Sequence, residues 1–177
     1  EVSFAMAGLA PGETLLICAA LDRCFMAGLA YHLGALRLGL RTIRAGGGSP
    51  AQCWNLMKDC GATAAIGVPS LMGRICAHAA EKGGSPRDAG LKKFLAIGEP
   101  LRDADMGDLP VTAMLSELLG ARPLSTYAST EIATTFCECP ERRGGHLRPE
   151  LVVLEIVDDE GRPTPPGTSA AARRPRP

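Results

Sequence analysis

The sequence has little net charge, few aromatic rings and no long apolar run, and each shortage removes a class of function. Acids and bases number 19 each, so no overall field draws the chain to nucleic acid or to an anionic membrane surface. Arg173, Arg174 and Arg176 cluster near the end of the sequence, but three charges fall well short of the roughly 6–10 phosphate contacts behind strong salt-dependent binding. The longest apolar run, Cys24–Leu36, is shorter than the about 20 residues that a membrane span needs, and no secretory leader pattern stands at the front. The seven cysteines are odd in number and scattered through apolar runs. They do not spell a disulfide framework and read as reduced thiols of a cytoplasmic protein. No G-x-x-x-x-G-K-[ST] phosphate loop occurs. A cysteine nucleophile also lacks its base, because His32 and His78 fall in helical stretches far from Cys137. With aromatic content at 4%, Tyr127, Phe25 and Trp54 stand out.

What is present is a βα rhythm. A hydrophobic content of 46% in 177 residues can build one core. Apolar runs alternate with helical periodicity at a spacing of roughly 25–30 residues, the pattern of a parallel sheet covered by helices. The strands expected are Thr14–Cys18, Arg41–Arg44, Thr63–Ile66, Lys92–Ile97 and Arg122–Thr126. The helices expected are Cys24–Leu38, Ala51–Cys60, Leu71–Glu81 and Val111–Leu119. Ser49 and Pro50 supply a cap and a first helical residue, and Gly61 and Gly120 supply stops. In the first helix Phe25, Leu29, Leu33 and Leu36 share one face, Gly28, Ala30, Gly34 and Ala35 allow close approach on its other sides, and His32 reads as a hydrogen-bonded packed residue. Leu151–Val157 reads as a further strand ending in a hairpin-type turn at Asp158–Gly161. The fold class is therefore α/β, a parallel sheet flanked by helices with a small C-terminal β-hairpin element. The division expected is a core over 1–145, the start of a smaller β subdomain over 146–168 and a disordered tail over 169–177. Both ends of the sequence look cut from something larger.

In open parallel sheets ligands sit beyond the carboxyl ends of the strands. Three unusual loops fall there and are expected to line one site: Gly46–Ser49, Gly98–Pro100 and Tyr127–Glu131. Gly46–Ala51 formally satisfies G-x-G-x-x-A, but Gly67, Val68 and Pro69 occupy the place where a dinucleotide fold needs an acid. A plain glycine turn is the competing reading. Gly98-Glu99-Pro100 is either an ordinary turn or a wall against which a flat base lies, one such contact being worth on the order of 1 kcal/mol. Leu124–Glu131 (LSTYASTE) sets an aromatic ring, the hydroxyls of Ser129 and Thr130 and the Glu131 carboxylate at a strand end, which suits a nucleotide with its magnesium ion. Cys137, Cys139 and His146 have the residue types of a structural zinc site, which usually has four ligands. The fourth would come from Cys53 or Cys60, and buried free thiols are the alternative.

Gly28–Gly39 (GLAYHLGALRLG), Ala45–Ser49 (AGGGS), Val68-Pro69-Ser70, Gly98-Glu99-Pro100, Tyr127–Glu131 (YASTE) and Cys137–His146 follow one another as in the phenylacetate–CoA ligases. The chain resembles that family, within the adenylate-forming superfamily of acyl-CoA synthetases, from about Gly8 to Gly167. The resemblance implies a partial adenylate-forming domain, an acyl adenylate made from a carboxylic acid and ATP, and transfer of the acyl group to coenzyme A. Glu131 then matches the magnesium-holding acid, and Thr130 the hydroxyl near the α-phosphate. Gly98, Glu99 and Pro100 match the adenine wall, and Ser129 counts with them among the cofactor-binding residues. Tyr127 and Ala128 match the pair between adenine and the acyl pocket, and Phe25 an aromatic residue of an aryl-acid pocket. The family usually has glycine where Ala128 stands, so the pocket is expected to be narrower. The family's phosphate loop would precede Glu1, and its ribose-binding aspartate and catalytic lysine would follow Gly167. The 177 residues are therefore expected to be the central part of a ligase with little activity alone. The partners expected are an aryl or acyl acid, ATP and coenzyme A, with a homodimer allowed. A non-catalytic nucleotide-binding or interaction module, or an NAD-type domain, are the alternatives.

Overall fold

The structure is a computed structural model and describes residues 1–22, 25–132 and 134–165. Strand β1 (Thr14–Cys18) is buried along its whole length, as befits a strand covered on both faces. The other strands are β2 (Arg41–Arg44), β3 (Ala64–Gly67), β4 (Lys93–Ala96), β5 (Leu124–Ser129) and β6 (Thr134–Cys137). They form one sheet in the order β2-β1-β3-β4-β5-β6. All neighbours run parallel except the last pair, in which β6 returns antiparallel to β5.

The connections are helices: α2 (Met26–Arg37), α3 (Pro50–Asp59), α4 (Pro69–Glu81) and α5 (Pro110–Leu119), with a short α1 (Val2–Met6) in front. Ser49 caps α3 as its side chain accepts the Gln52 N–H at 3.2 Å, and Pro50 takes the first helical position. Gly120 ends α5 in the left-handed region at φ +63°, where a side chain would be strained.

The period of two along each strand sorts the core into two layers. Leu16, Ala65, Phe94 and Ala96 face α3, α4 and α5, where Trp54, Met57, Met72, Ile75, Leu115 and Leu119 are buried with them. Leu15, Ile17, Ala64, Ile66 and Leu95 face the other way, onto Phe4, Leu9, Ala35 and Leu40.

The structure decides one open reading and corrects one expectation. The first concerns α2. Its large apolar residues do not pack: Phe25, Leu29, Leu33 and Leu36 are between 38% and 56% exposed. The face turned inward is the small one, Gly28 and Ala35, because only small side chains let the helix backbone approach β1. His32 does have a partner, the Thr42 hydroxyl at 2.9 Å. The second concerns Leu151–Val157, which is not a laddered strand. Its single sheet-like contact is the antiparallel bridge from Val157 to Pro163, and Leu151 and Val153 are exposed. Only its end is paired, where the Thr164 N–H donates to the Ile156 carbonyl and the Asp158 N–H to the Arg162 carbonyl, both at 2.9 Å; among the described residues no ladder extends back over 151–155. The turn itself forms as expected. The Asp158 carboxylate accepts from the backbone N–H of Glu160 and Arg162 and from Arg162 Nε, and these donors hold its pKa below the usual value.

The chain divides into a compact unit that ends at His146 and a second that begins at Leu147. The helix start at Cys24, the end of the subdomain at 166–168 and the tail over 169–177 lie outside the described residues. Among the described residues no helix is long and apolar enough to cross a membrane.

Candidate functional site

Adjacent strands deliver two of the three loops to one place. β4 and β5 are neighbours, paired at Leu95–Leu124 and Ala96–Ser125, so the Gly98–Pro100 turn leaves the sheet beside β5. The Thr126 hydroxyl donates to the Ala96 carbonyl at 2.8 Å and extends this seam. Gly46–Ser49 does not join them. It follows β2 at the far edge, four strands from β5, or roughly 19 Å at about 4.8 Å per strand. Phe25 follows β1, three strands from β5 and roughly 14 Å by the same spacing, and its ring is half exposed. A cavity of about 310 Å³ lies near the ends of β1 and β2, lined by Leu21, Asp22, Arg44, Ala45 and Gly46. Of the expected site residues it includes Gly46 alone.

The Gly98–Pro100 turn is built by two contacts. Gly98 has φ +73°, and a Cβ there would meet Val68 Cγ1 at 3.1 Å. The position is glycine's on both conformational and steric grounds. Glu99 turns toward the start of α4, where its carboxylate accepts from the Ser70 N–H at 2.8 Å and the Ser70 hydroxyl at 2.5 Å. A carboxylate on the first-turn amides of a helix complements the helix dipole. Glu99 therefore holds the turn to α4, leaving the backbone of Gly98 and Pro100 as the surface available to a ligand.

Tyr127, Ala128 and Ser129 were expected in a turn but lie on β5, because β6 pairs with β5 from Thr126–Cys137 to Ser129–Thr134. The hairpin turn comes later and carries Thr130 and Glu131, both exposed. Tyr127 is 55% exposed, and its ring stands 6.1 Å from that of Phe136 across the ladder, within the range of an aromatic pair. The Ser129 hydroxyl accepts from the Ile132 N–H at 3.4 Å and shapes the turn. The strand end therefore presents a ring, two hydroxyls and a carboxylate in succession.

Cys137, Cys139 and His146 are not assembled as ligands. Among the described residues no three His, Cys, Asp or Glu side chains converge on a metal position. Cys137 and His146 face each other as a backbone bridge, yet the Cys137 thiol is buried in the core layer with Leu95 and Leu124. Burial pushes its pKa up to about 12, as for a thiol in apolar surroundings. Cys53 is likewise buried in the other layer.

Sequence reasoning missed a charged cluster behind the site. Arg102 and Glu138 pair at 3.0 Å with side chains 7% and 2% exposed, and Arg102 also meets Asp108 at 3.0 Å. Arg142 reaches the same Asp108 carboxylate. The available signal was an acid set between two cysteines, one of them in the core, next to a strand, a place where an unpaired charge would be very costly.

Acyl-CoA ligases are among the solved structures that this fold matches. A 2-hydroxyisobutyryl-CoA ligase in an open conformation with 2-HIB-AMP and CoA matches with TM-score 0.64 and 24% identity, over 77% of this chain and 32% of that one. The same enzyme in the postadenylation state with R3-HIB-AMP matches with TM-score 0.62 and 26% identity, over 72% and 27%. The anthranilate CoA ligase AuaEII, in complex with anthranoyl-AMP, matches with TM-score 0.66 and 19% identity, over 94% and 32%. The chain thus spans about a third of the length of these structures. No curated protein matches it significantly. The family model for AMP-binding enzymes matches residues 3–170, nearly the whole sequence, and the chain belongs to that family.

Proposed function

We propose that these residues form the central part of an ATP-dependent aryl- or acyl-acid–CoA ligase of the phenylacetate type. The observation that carries the reading is the placing of the Gly98–Pro100 turn beside the Tyr127–Glu131 strand end, in a chain of the AMP-binding family. The parent reaction joins a carboxylate to the α-phosphate of ATP and expels pyrophosphate. The thiol of coenzyme A then attacks the acyl adenylate and releases AMP.

Adenine lies against Gly98 and Pro100, with Glu99 anchoring the turn through Ser70. Tyr127 and Ala128 stand between adenine and the acid, and the Ala128 methyl narrows the aryl pocket. Ser129 and Thr130 offer hydroxyls to the phosphate side. Glu131 is the magnesium ligand: a hard cation takes oxygen donors, usually one or two carboxylates plus phosphates, and an exposed carboxylate beside two hydroxyls fits that set. Magnesium, when bound, neutralises charge developing on the phosphates, a contribution of several kcal/mol. Phe25 belongs to the aryl pocket in this reading. The 177 residues alone turn over little, and the whole protein works in the cytoplasm.

Calorimetry with magnesium ATP on the wild-type chain and on Glu131→Ala tests the proposal. Magnesium-dependent binding that the variant loses is expected. Binding that the variant retains in full, or no binding by either chain, speaks against placing the nucleotide here. NADH binding unaffected by Glu131→Ala would favour the dinucleotide alternative.

A further inference from the structure

Glu138 follows β6 and is 2% exposed, a carboxylate the fold has removed from water. Its Oε2 accepts from Arg102 Nη2 at 3.0 Å and from the Ser125 N–H at 2.7 Å. Its own N–H donates to the Ser125 carbonyl at 3.0 Å. Glu138 therefore grips Ser125 from both sides, at the residue where the short β4–β5 ladder ends. Its second oxygen, Oε1, is buried without a hydrogen-bond partner among the described residues.

Arg102 follows the Gly98–Pro100 turn by two residues. It sits at the base of a small loop closed by an antiparallel bridge between Arg102 and Asp108. The Leu109 N–H donates to the Leu101 carbonyl at 3.0 Å and the Asp103 N–H to the Gly107 carbonyl at 2.9 Å. Arg102 Nη1 stands 3.0 Å from the Asp108 carboxylate and donates to the Leu101 carbonyl at 3.3 Å. Arg142 meets the same Asp108 carboxylate, but it is the Arg102 guanidinium that joins the loop to Glu138.

Burying two charges costs free energy that an apolar pair of the same volume does not, so such a pair is weak evidence for stability. What it supplies is direction, because a planar guanidinium and a carboxylate meet in few geometries. We propose that Glu138 is a positioning residue for the nucleotide site. Through Arg102 and Ser125 it fixes the separation between the Gly98–Pro100 turn and the Tyr127–Glu131 strand end. The ligand in this inference rests on the ligase reading above; the clasp between the loops does not.

The test compares the wild-type chain with Arg102→Met/Glu138→Leu, which replaces the ion pair by apolar side chains, and with Glu138→Gln. Melting temperature, magnesium ATP affinity and amide hydrogen exchange are measured on each. The double variant is expected to melt within a few degrees of wild type, as apolar replacements of buried ion pairs often do. It should bind nucleotide at least about tenfold more weakly, since shifts of about 1 Å in positioned groups carry costs of that order or more. Its amides over residues 101–109 and 124–129 should exchange faster together, with those of β1 and β3 unchanged. Wild-type affinity in the double variant, or unchanged exchange in both segments, overturns the proposal. If the wild-type chain binds no nucleotide, the ligase reading fails and the exchange comparison alone decides the clasp. If the double variant does not fold, Glu138→Gln, which keeps the volume and one acceptor oxygen, takes its place under the same criteria.

Discussion

Gly28→Ala adds one methyl group where α2 lies against the end of β1. A Cβ at that position would stand 2.0 Å from the Ala20 carbonyl oxygen, 2.7 Å from the Ala20 carbonyl carbon and 2.9 Å from the Ala19 oxygen. All three are backbone atoms, so no side chain can swing aside. A carbon–oxygen contact settles near about 3.3 Å, so helix and strand end must part by more than an ångström or the helix must tilt. Gly28 is not among the glycines with positive φ, so the cost comes from contact and not from backbone strain. Helix propensity opposes it, favouring alanine by about 1 kcal/mol. Overpacking of a tight site costs about 1–3 kcal/mol and occasionally more, and an overlap with rigid backbone belongs at the upper end. The net expectation is a loss of about 2 kcal/mol.

Gly73→Ala in α4 is the internal control. Its Cβ meets only Met114 Cε, at 3.3 Å, a flexible side-chain end that can yield, so propensity wins and a gain of about 0.5–1 kcal/mol is expected. The two variants should lie about 3 kcal/mol apart, or roughly 6–12 °C in melting temperature for a chain of this size. Urea denaturation followed by circular dichroism, with the slope m held common, measures the difference. Gly28→Ala as stable as Gly73→Ala would refute the reasoning. It would mean that α2 does not approach β1 closely, and the placement of Phe25 at the start of that helix would fail with it.

The thiols predict an alkaline weakness. Burial raises Cys137 to about 12 and Cys76 to about 11, from 9.0. Above pH 9 the unfolded chain releases these protons while the folded chain retains them. The stabilisation is thus complete below pH 9 and is lost as pH rises toward 11–12, at about 1.4 kcal/mol per pH unit for each thiol. Urea melts of wild type and Cys137→Ala between pH 8 and 10.5 should show a shallower decline in the variant, and parallel curves would sink the argument. On α2, Leu33→Glu should change stability by no more than about 0.5 kcal/mol, because Leu33 is 56% exposed. Ala35→Glu, at a position with no exposure, should cost several kcal/mol or prevent folding. Equal effects would mean that the exposed and buried faces of α2 have been assigned the wrong way round.

Strand positions and helix caps were legible because their causes are local. Thr14–Cys18 is a continuous apolar run, and Ser49-Pro50 and Gly120 carry conformational preferences that no distant residue overrides. The direction of α2 was not legible in that way. Periodicity identifies a stripe of Phe25, Leu29, Leu33 and Leu36 but does not say which face is buried. The signal that decides it is Gly28 with Ala35, small residues that permit close approach to a sheet. Strand β6 was missed because Thr134–Cys137 returns antiparallel directly from β5 and stands outside the βα rhythm that marked the other strands. Without it β5 ends too early, and Tyr127, Ala128 and Ser129 read as turn residues although they lie on the strand.

The candidate site shows the same limit at longer range. Chain order could name three loops at the carboxyl ends of strands, but which of them meet depends on the order of strands in the sheet. That order sets β2 at an edge and β4 beside β5, which keeps Gly98–Pro100 with Tyr127–Glu131 and removes Gly46–Ser49. The Arg102–Glu138 pair lies a step further from the sequence, since its members are separated by 36 positions. It forms because β6 folds back on β5 and carries Glu138 to Ser125. Once β6 is in place, the acid between Cys137 and Cys139 has a partner to find, and the two cysteines need no metal to account for them. Cys137 faces the core, Glu138 faces Arg102, and the alternation of a strand end explains a cluster whose residue types alone had suggested zinc.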